Sequence, residues 1–150
     1  MTTSPTGAVL RAVAQALRGD HTEGLRLLQP VVDAGPASTY AMLCLLADIA
    51  ARPARREYGL SARLGPEVGD PDQGLSVDDL PPARRFAAQF VAAHANGDTA
   101  TAVALFWAVA DYANSNRTGD LAEAIGKVFD MAITAAAQPT TPTPSADGPA

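Results

Sequence analysis

Cysteine, histidine, lysine and aromatic residues are all scarce in this chain of 150 residues. Cys44 is the only cysteine, which excludes both an internal disulfide and a cysteine-based zinc site. His21 and His94 are the only histidines, so a metal ion would need distant carboxylates as its other ligands. The sequence contains no glycine-rich phosphate loop and no nucleophile elbow. We therefore predict no cofactor, no metal and no catalytic residue.

Charge is also sparse, and its balance is acidic. Charged residues make up 18% of the chain, and the net charge is −5 at pH 7. This balance disfavours a broad contact with nucleic acid or with an anionic membrane. The most apolar stretch, residues 100–110, is about half as long as a membrane-spanning helix, and the first residues do not resemble a secretory signal. We expect a cytoplasmic protein without membrane contact, and the preference for arginine over lysine is typical of a bacterium with a GC-rich genome.

Alanine-rich segments with apolar residues at helical spacing dominate the chain and predict an all-α fold. Three of the Gly-Asp pairs in the chain divide these segments. Glycine accepts the left-handed conformation that ends a helix, and aspartate caps the N-terminus of the helix that follows. Two of the predicted helices are apolar on most sides and are expected to form the centre of the molecule, namely 37–51 and 99–114. The pairs that we predict as joints are Gly19-Asp20, Gly97-Asp98 and Gly119-Asp120.

The six predicted helices form a bundle, or a stack of helical hairpins, in a single domain over residues 1–137. Its halves, about 4–51 and 82–137, are joined by a connection at 52–81 that is rich in glycine and proline. When the first Gly-Asp pair is aligned with the second, the two halves also match in several apolar positions, which indicates two copies of a three-helix unit. The final segment, 138–150, is rich in proline and threonine and is expected to be disordered.

The Gly-Asp joints resemble those of the tetratricopeptide repeat, a two-helix unit that stacks into protein-binding arrays. In that family a small residue follows the glycine by five positions and an aromatic residue by nine. Ala102 and Phe106 match both positions, and Gly24 and Leu28 match them loosely. The family repeats at a fixed period of about 34 residues, whereas the three joints of this chain are unevenly spaced. The resemblance implies stacked helical pairs, and it transfers no binding residue to this chain.

We interpret the chain as a non-catalytic helical module that binds another protein, and self-association is a further expectation. The alternatives are a small regulator that contacts nucleic acid through an arginine patch, and an enzyme that uses Asp48, Asp111 and Asp130 in a helical pocket. The predicted contact residues lie in the long connection and at the end of the fifth helix. They are Arg52, Arg55, Arg56, Tyr58, Arg63, Trp107 and Tyr112.

Overall fold

The computed structural model describes residues 4–58, 80–110 and 118–138, and these residues form six helices and no strand. The all-α prediction is therefore confirmed, and the arrangement is that of a helical bundle or a stack of hairpins. The predicted tail at 138–150, apart from Gln138, and most of the predicted connection lie outside the described residues. The helices are α1 (Pro5–Leu17), α2 (His21–Asp33), α3 (Pro36–Tyr58), α4 (Pro82–Ala95), α5 (Thr99–Val109) and α6 (Thr118–Ala137).

The first two Gly-Asp pairs join helices in the predicted way. Gly19 and Gly97 have φ angles of 97° and 73°, in the left-handed region that glycine tolerates best. The carboxylate of Asp20 accepts a hydrogen bond from the Glu23 amide at 3.0 Å. Asp98 caps α5 equivalently, with an acceptor distance of 3.2 Å from the Thr101 amide. In each pair, the glycine therefore ends one helix and the aspartate caps the start of the next.

The third pair is not such a joint. Helix α6 begins at Thr118, so that Asp120 lies in its first turn instead of preceding it. An acidic side chain in the first turn is still favourable because it faces the positive end of the helix dipole. The prediction of a third stop and start at Gly119-Asp120 was therefore wrong, although a helix does begin at this point.

Two prolines lie inside helices that continue past them. Helix α2 continues through Pro30 to Asp33, and α3 continues through Pro53 to Tyr58, well beyond its predicted end. A proline removes one backbone hydrogen bond and often kinks or ends a helix, yet neither helix ends at its proline. Beyond Pro53, the guanidinium of Arg55 donates a hydrogen bond to the carbonyl oxygen of Ala95 at 3.1 Å. This contact fastens the last turns of α3 to the end of α4.

The core is one cluster of apolar side chains to which all six helices contribute. Helix α3 lies at its centre and packs against α1, α2, α4 and α6. The second central helix is α6, which packs mainly on α3 and α4, whereas α5 packs mainly on α4. The prediction that α5 is central was wrong because only one side of this apolar helix is covered. Its buried residues are Ala102 and Phe106.

The helices of the two halves have corresponding bounds when the halves are aligned at their Gly-Asp joints. When Gly19 is aligned with Gly97, α1 and α4 end at equivalent residues, and α2 and α5 begin at equivalent residues. The joints agree in detail: the Asp20 amide donates to the carbonyl of Gln15 at 3.0 Å, and the Asp98 amide to that of Ala93 at 2.8 Å. Each described half therefore contains three helices in the same order, with a near-identical first joint.

Loss of the Asp20 cap is expected to weaken the first joint measurably. Asp20→Ala should lower the free energy of unfolding by about 1 kcal/mol, because it removes the carboxylate that accepts a hydrogen bond from the Glu23 amide in the first turn of α2. Ser4→Ala is the matched control, because Ser4 precedes α1 but makes no side-chain cap hydrogen bond. Urea unfolding followed by circular dichroism measures both. Equal losses for the two variants would contradict the role of Asp20.

Candidate interaction surface

The outer face of helix α5 is mostly apolar. Helix α2 is its equivalent in the first half and can be compared with it position by position. Helix α2 has exposed polar residues at positions such as Arg26 and Gln29. The equivalent residues of α5, in the alignment of the two joints, are Ala104 and Trp107, which are exposed as well. No charged residue occurs anywhere in α5. The second half therefore keeps the apolar inner face of this helix and, at Ala104 and Trp107, replaces polar outer residues with apolar ones.

A groove of about 390 Å³ lies between this helix and the start of α3. Its walls are almost entirely apolar, and three of its six lining residues are aromatic. Tyr40 and Phe106 meet edge to face with ring centres 5.5 Å apart, and Phe106 and Trp107 do so at 5.3 Å. Edge-to-face contacts of this kind hold rings in fixed orientations. The residues that line the groove are Pro36, Ala37, Tyr40, Val103, Phe106 and Trp107.

Trp107 is the only tryptophan of the chain, and its side chain is 52% exposed. Among the described residues, the other large apolar side chains that are exposed are Leu10 and Leu17 on α1, and neither of them lines this groove. Phe106, the residue before Trp107, is 1% exposed and anchors α5 in the core. The aromatic groove, defined as the six residues above, is therefore a surface site built on a rigid, buried ring.

The structure separates the residues of the predicted arginine patch. Arg52 and Arg56 are exposed on α3. Arg55 is partly buried, lies 4.0 Å from the carboxylate of Asp48, and donates to the end of α4. Arg55 therefore has a structural role between two helices. The side chain of Tyr58, together with Arg63 and Tyr112, lies outside the described residues.

Each histidine has an aspartate partner that sequence reasoning did not find. Nε2 of His94 lies 2.9 Å from Oδ1 of Asp48, and Nε2 of His21 lies 2.6 Å from Oδ1 of Asp130. The partners are 46 and 109 residues apart in the chain, so no local spacing could have indicated them. Both pairs link separate helices, α4 to α3 and α2 to α6. Within the described ranges, no three potential ligands come close enough to hold a metal ion.

Cys44 lies on α3, one helical turn after Tyr40 and one turn before Asp48. Burial raises the pKa of the Cys44 thiol, and the charge of Asp48 raises it further, while a hydrogen bond with Tyr40 opposes the shift. Burial also raises the pKa of the Tyr40 hydroxyl. Because the thiolate is the nucleophilic form, these shifts leave Cys44 unreactive at neutral pH. The position supports a structural role for the thiol.

Comparisons with known proteins give no match: no family model, no curated protein and no solved structure is significantly similar to the chain. Across residues 4–58, 80–110 and 118–138, no helix combines the length and the apolar character that crossing a membrane requires.

Proposed function

We propose that this protein is a non-catalytic helical interaction module, and that the aromatic groove with the outer face of α5 is where it binds a partner protein. The single observation that carries the proposal is the exposed apolar face of α5, at positions that are polar in the equivalent helix α2. The resemblance of the joints to tetratricopeptide hairpins agrees with this function. A cytoplasmic location and a bacterial source are parts of the same proposal.

The composition of the surface suits protein recognition. Tryptophan and tyrosine are enriched at the energetic centres of protein interfaces, because they bury a large area with few rotatable bonds. Trp107 and Tyr40 both line the groove, and the outer face of α5 also presents small exposed side chains at Ala100, Ala104 and Ala108. Small side chains let a partner helix approach the backbone of α5 closely. We infer that the partner inserts an apolar side chain between the two aromatic rings.

The two other functions receive less support from the geometry. A nucleic-acid contact would use free arginines, yet Arg55 is already bound to Ala95 and lies near Asp48. An acidic active site would bring carboxylates together, yet Asp48 and Asp130 each pair with a different histidine. Asp111 lies outside the described residues. These contacts favour protein binding over both alternatives.

The test compares partner capture by matched variants. Ala104→Arg/Trp107→Gln gives α5 the residues that α2 carries at equivalent exposed positions, so the fold should tolerate it. From an extract of the source cells, we expect the variant to retain at least about tenfold less of the specific partner, as expected when an interface loses a central tryptophan. Quantitative mass spectrometry of the retained proteins provides the measurement.

The control variant changes the two equivalent positions of α2 in the first half. Arg26→Ala/Gln29→Ala should retain the partner at the wild-type level, because the outer face of α2 is not part of the proposed surface. Recovery of the untagged chain itself would identify the partner as a second copy. If all three proteins retain the same set, or if none retains a protein above the bead control, the proposal is wrong.

A further inference from the structure

A second groove, of about 490 Å³, lies on another side of the molecule between α3, α4 and α6. This volume is within the range of sites that bind small molecules. Apolar side chains provide most of the surface of the groove, including Ala54, Ala87, Met131 and Ala135. Most of these side chains are small, which leaves open volume between the three helices. It shares no residue with the aromatic groove.

Two cations stand at the edge of this groove. Arg84 is exposed and forms no ion pair or hydrogen bond with the described residues. Lys127 also lines the groove, and its Nζ lies 3.9 Å from the carboxylate of Asp130. That carboxylate is shared with His21, at 2.6 Å. The charged groups of the lining are thus two cations against one carboxylate, in a chain whose overall charge is negative.

The start of α4 adds to the positive potential of this edge. Leu80 and Arg84, which both line the groove, lie on either side of the residues that begin α4. Pro81 precedes the helix and provides no side-chain cap. The N-terminus of a helix carries a partial positive charge, which favours an anion nearby. Arginine, lysine and the helix end therefore all favour an anion in this otherwise mostly apolar groove.

We propose that this groove binds an amphipathic monocarboxylate, with the apolar chain along the alanines and the carboxylate at Arg84 and Lys127. Charge complementarity selects an anionic head, and the apolar lining selects a hydrocarbon body. The guanidinium of Arg84 can donate two parallel hydrogen bonds to a carboxylate, whereas Lys127 provides a single charge. The site is independent of the proposed protein-binding surface.

Calorimetric titration of the full chain with decanoate tests the proposal. Decanoate should bind with a stoichiometry of one, and Arg84→Gln and Lys127→Gln should each weaken binding by about fivefold, because each removes one charged contact. Decan-1-ol should bind at least about tenfold more weakly, and acetate should not bind, since each lacks one of the two features. Ala135→Leu should weaken binding by filling the groove.

Two controls make the result specific. Arg85→Gln removes the same charge one residue further along α4, outside the groove, and should change the affinity less than about twofold. Ala104→Arg/Trp107→Gln should bind decanoate like the wild type, because Trp107 lines the other groove. Circular dichroism confirms the fold of every variant. The absence of saturable binding, an equal effect of Arg85→Gln, or loss of binding in the Trp107 variant would each overturn the proposal.

Discussion

Gly24→Ala is expected to lower the free energy of unfolding by about 2 kcal/mol, although alanine is normally the better residue in a helix. A Cβ atom at Gly24 would lie 2.7 Å from the carbonyl oxygen of Ala12 and 2.9 Å from Cζ of Phe129. The first neighbour is backbone, so relief requires α1 and α2 to move apart. The cost of this overpacking should exceed the helix gain of about 1 kcal/mol.

Gly126→Ala is the matched control and should have the opposite sign. Gly126 lies inside α6, and a Cβ atom there would have nothing within 4 Å. The substitution should therefore raise the free energy of unfolding by up to about 1 kcal/mol, through the lower conformational entropy of the unfolded chain. Urea unfolding of both variants gives the comparison. If Gly24→Ala stabilises the protein as well, the close contact of α1, α2 and α6 at this point is wrong.

Phe106→Ala is expected to have the largest effect, a loss of about 3–5 kcal/mol, because it deletes a fully buried ring. Phe106 is 1% exposed and packs edge to face on Tyr40, which joins α5 to the start of α3. Tyr40 in turn contacts Phe90 on α4, with ring centres 6.1 Å apart. Removal of the Phe106 ring therefore opens a cavity where three helices meet.

Trp107→Ala provides the contrast one residue further along the helix. Because its side chain is 52% exposed, its loss should change the free energy of unfolding by only about 0.5 kcal/mol. Circular dichroism should follow the urea transitions, since the Trp107 variant has no tryptophan left to observe. Similar losses for the two variants would mean that Trp107 belongs to the core and not to a binding surface.

Local chemistry in the sequence was sufficient for much of the fold. The joints at Gly19-Asp20 and Gly97-Asp98 were predictable because helix termination and capping depend on the residues at the joint itself. The correspondence between the two halves was visible for the same reason. The continuation of α3 past Pro53 was not, because the contact of Arg55 with Ala95 joins residues 40 positions apart.

The candidate surface was predicted only in part, because contacts between residues far apart in the sequence bring its two walls together. Trp107 was singled out because an apolar run is conspicuous in the sequence. The same run led to the wrong prediction that α5 is central, since apolar residues on all sides of a helix usually indicate burial. Tyr40, which forms the opposite wall of the aromatic groove, was not singled out, because it lies in the helix 37–51 that was predicted to be central. Its position beside Phe106 depends on the packing of α5 against the start of α3.

The fluorescence of Trp107 during titration with the captured partner is the measurement that tests the central claim most directly. Trp107 is the only tryptophan of this chain, so once the emission of the partner alone is subtracted, the change in signal reports on the proposed surface. In the free chain, acrylamide should quench its emission readily, as the 52% exposure requires. Saturation with the partner should shift the emission to shorter wavelengths and reduce quenching severalfold. A partner that binds while both the emission and the quenching of Trp107 stay unchanged would contradict the assignment of this surface.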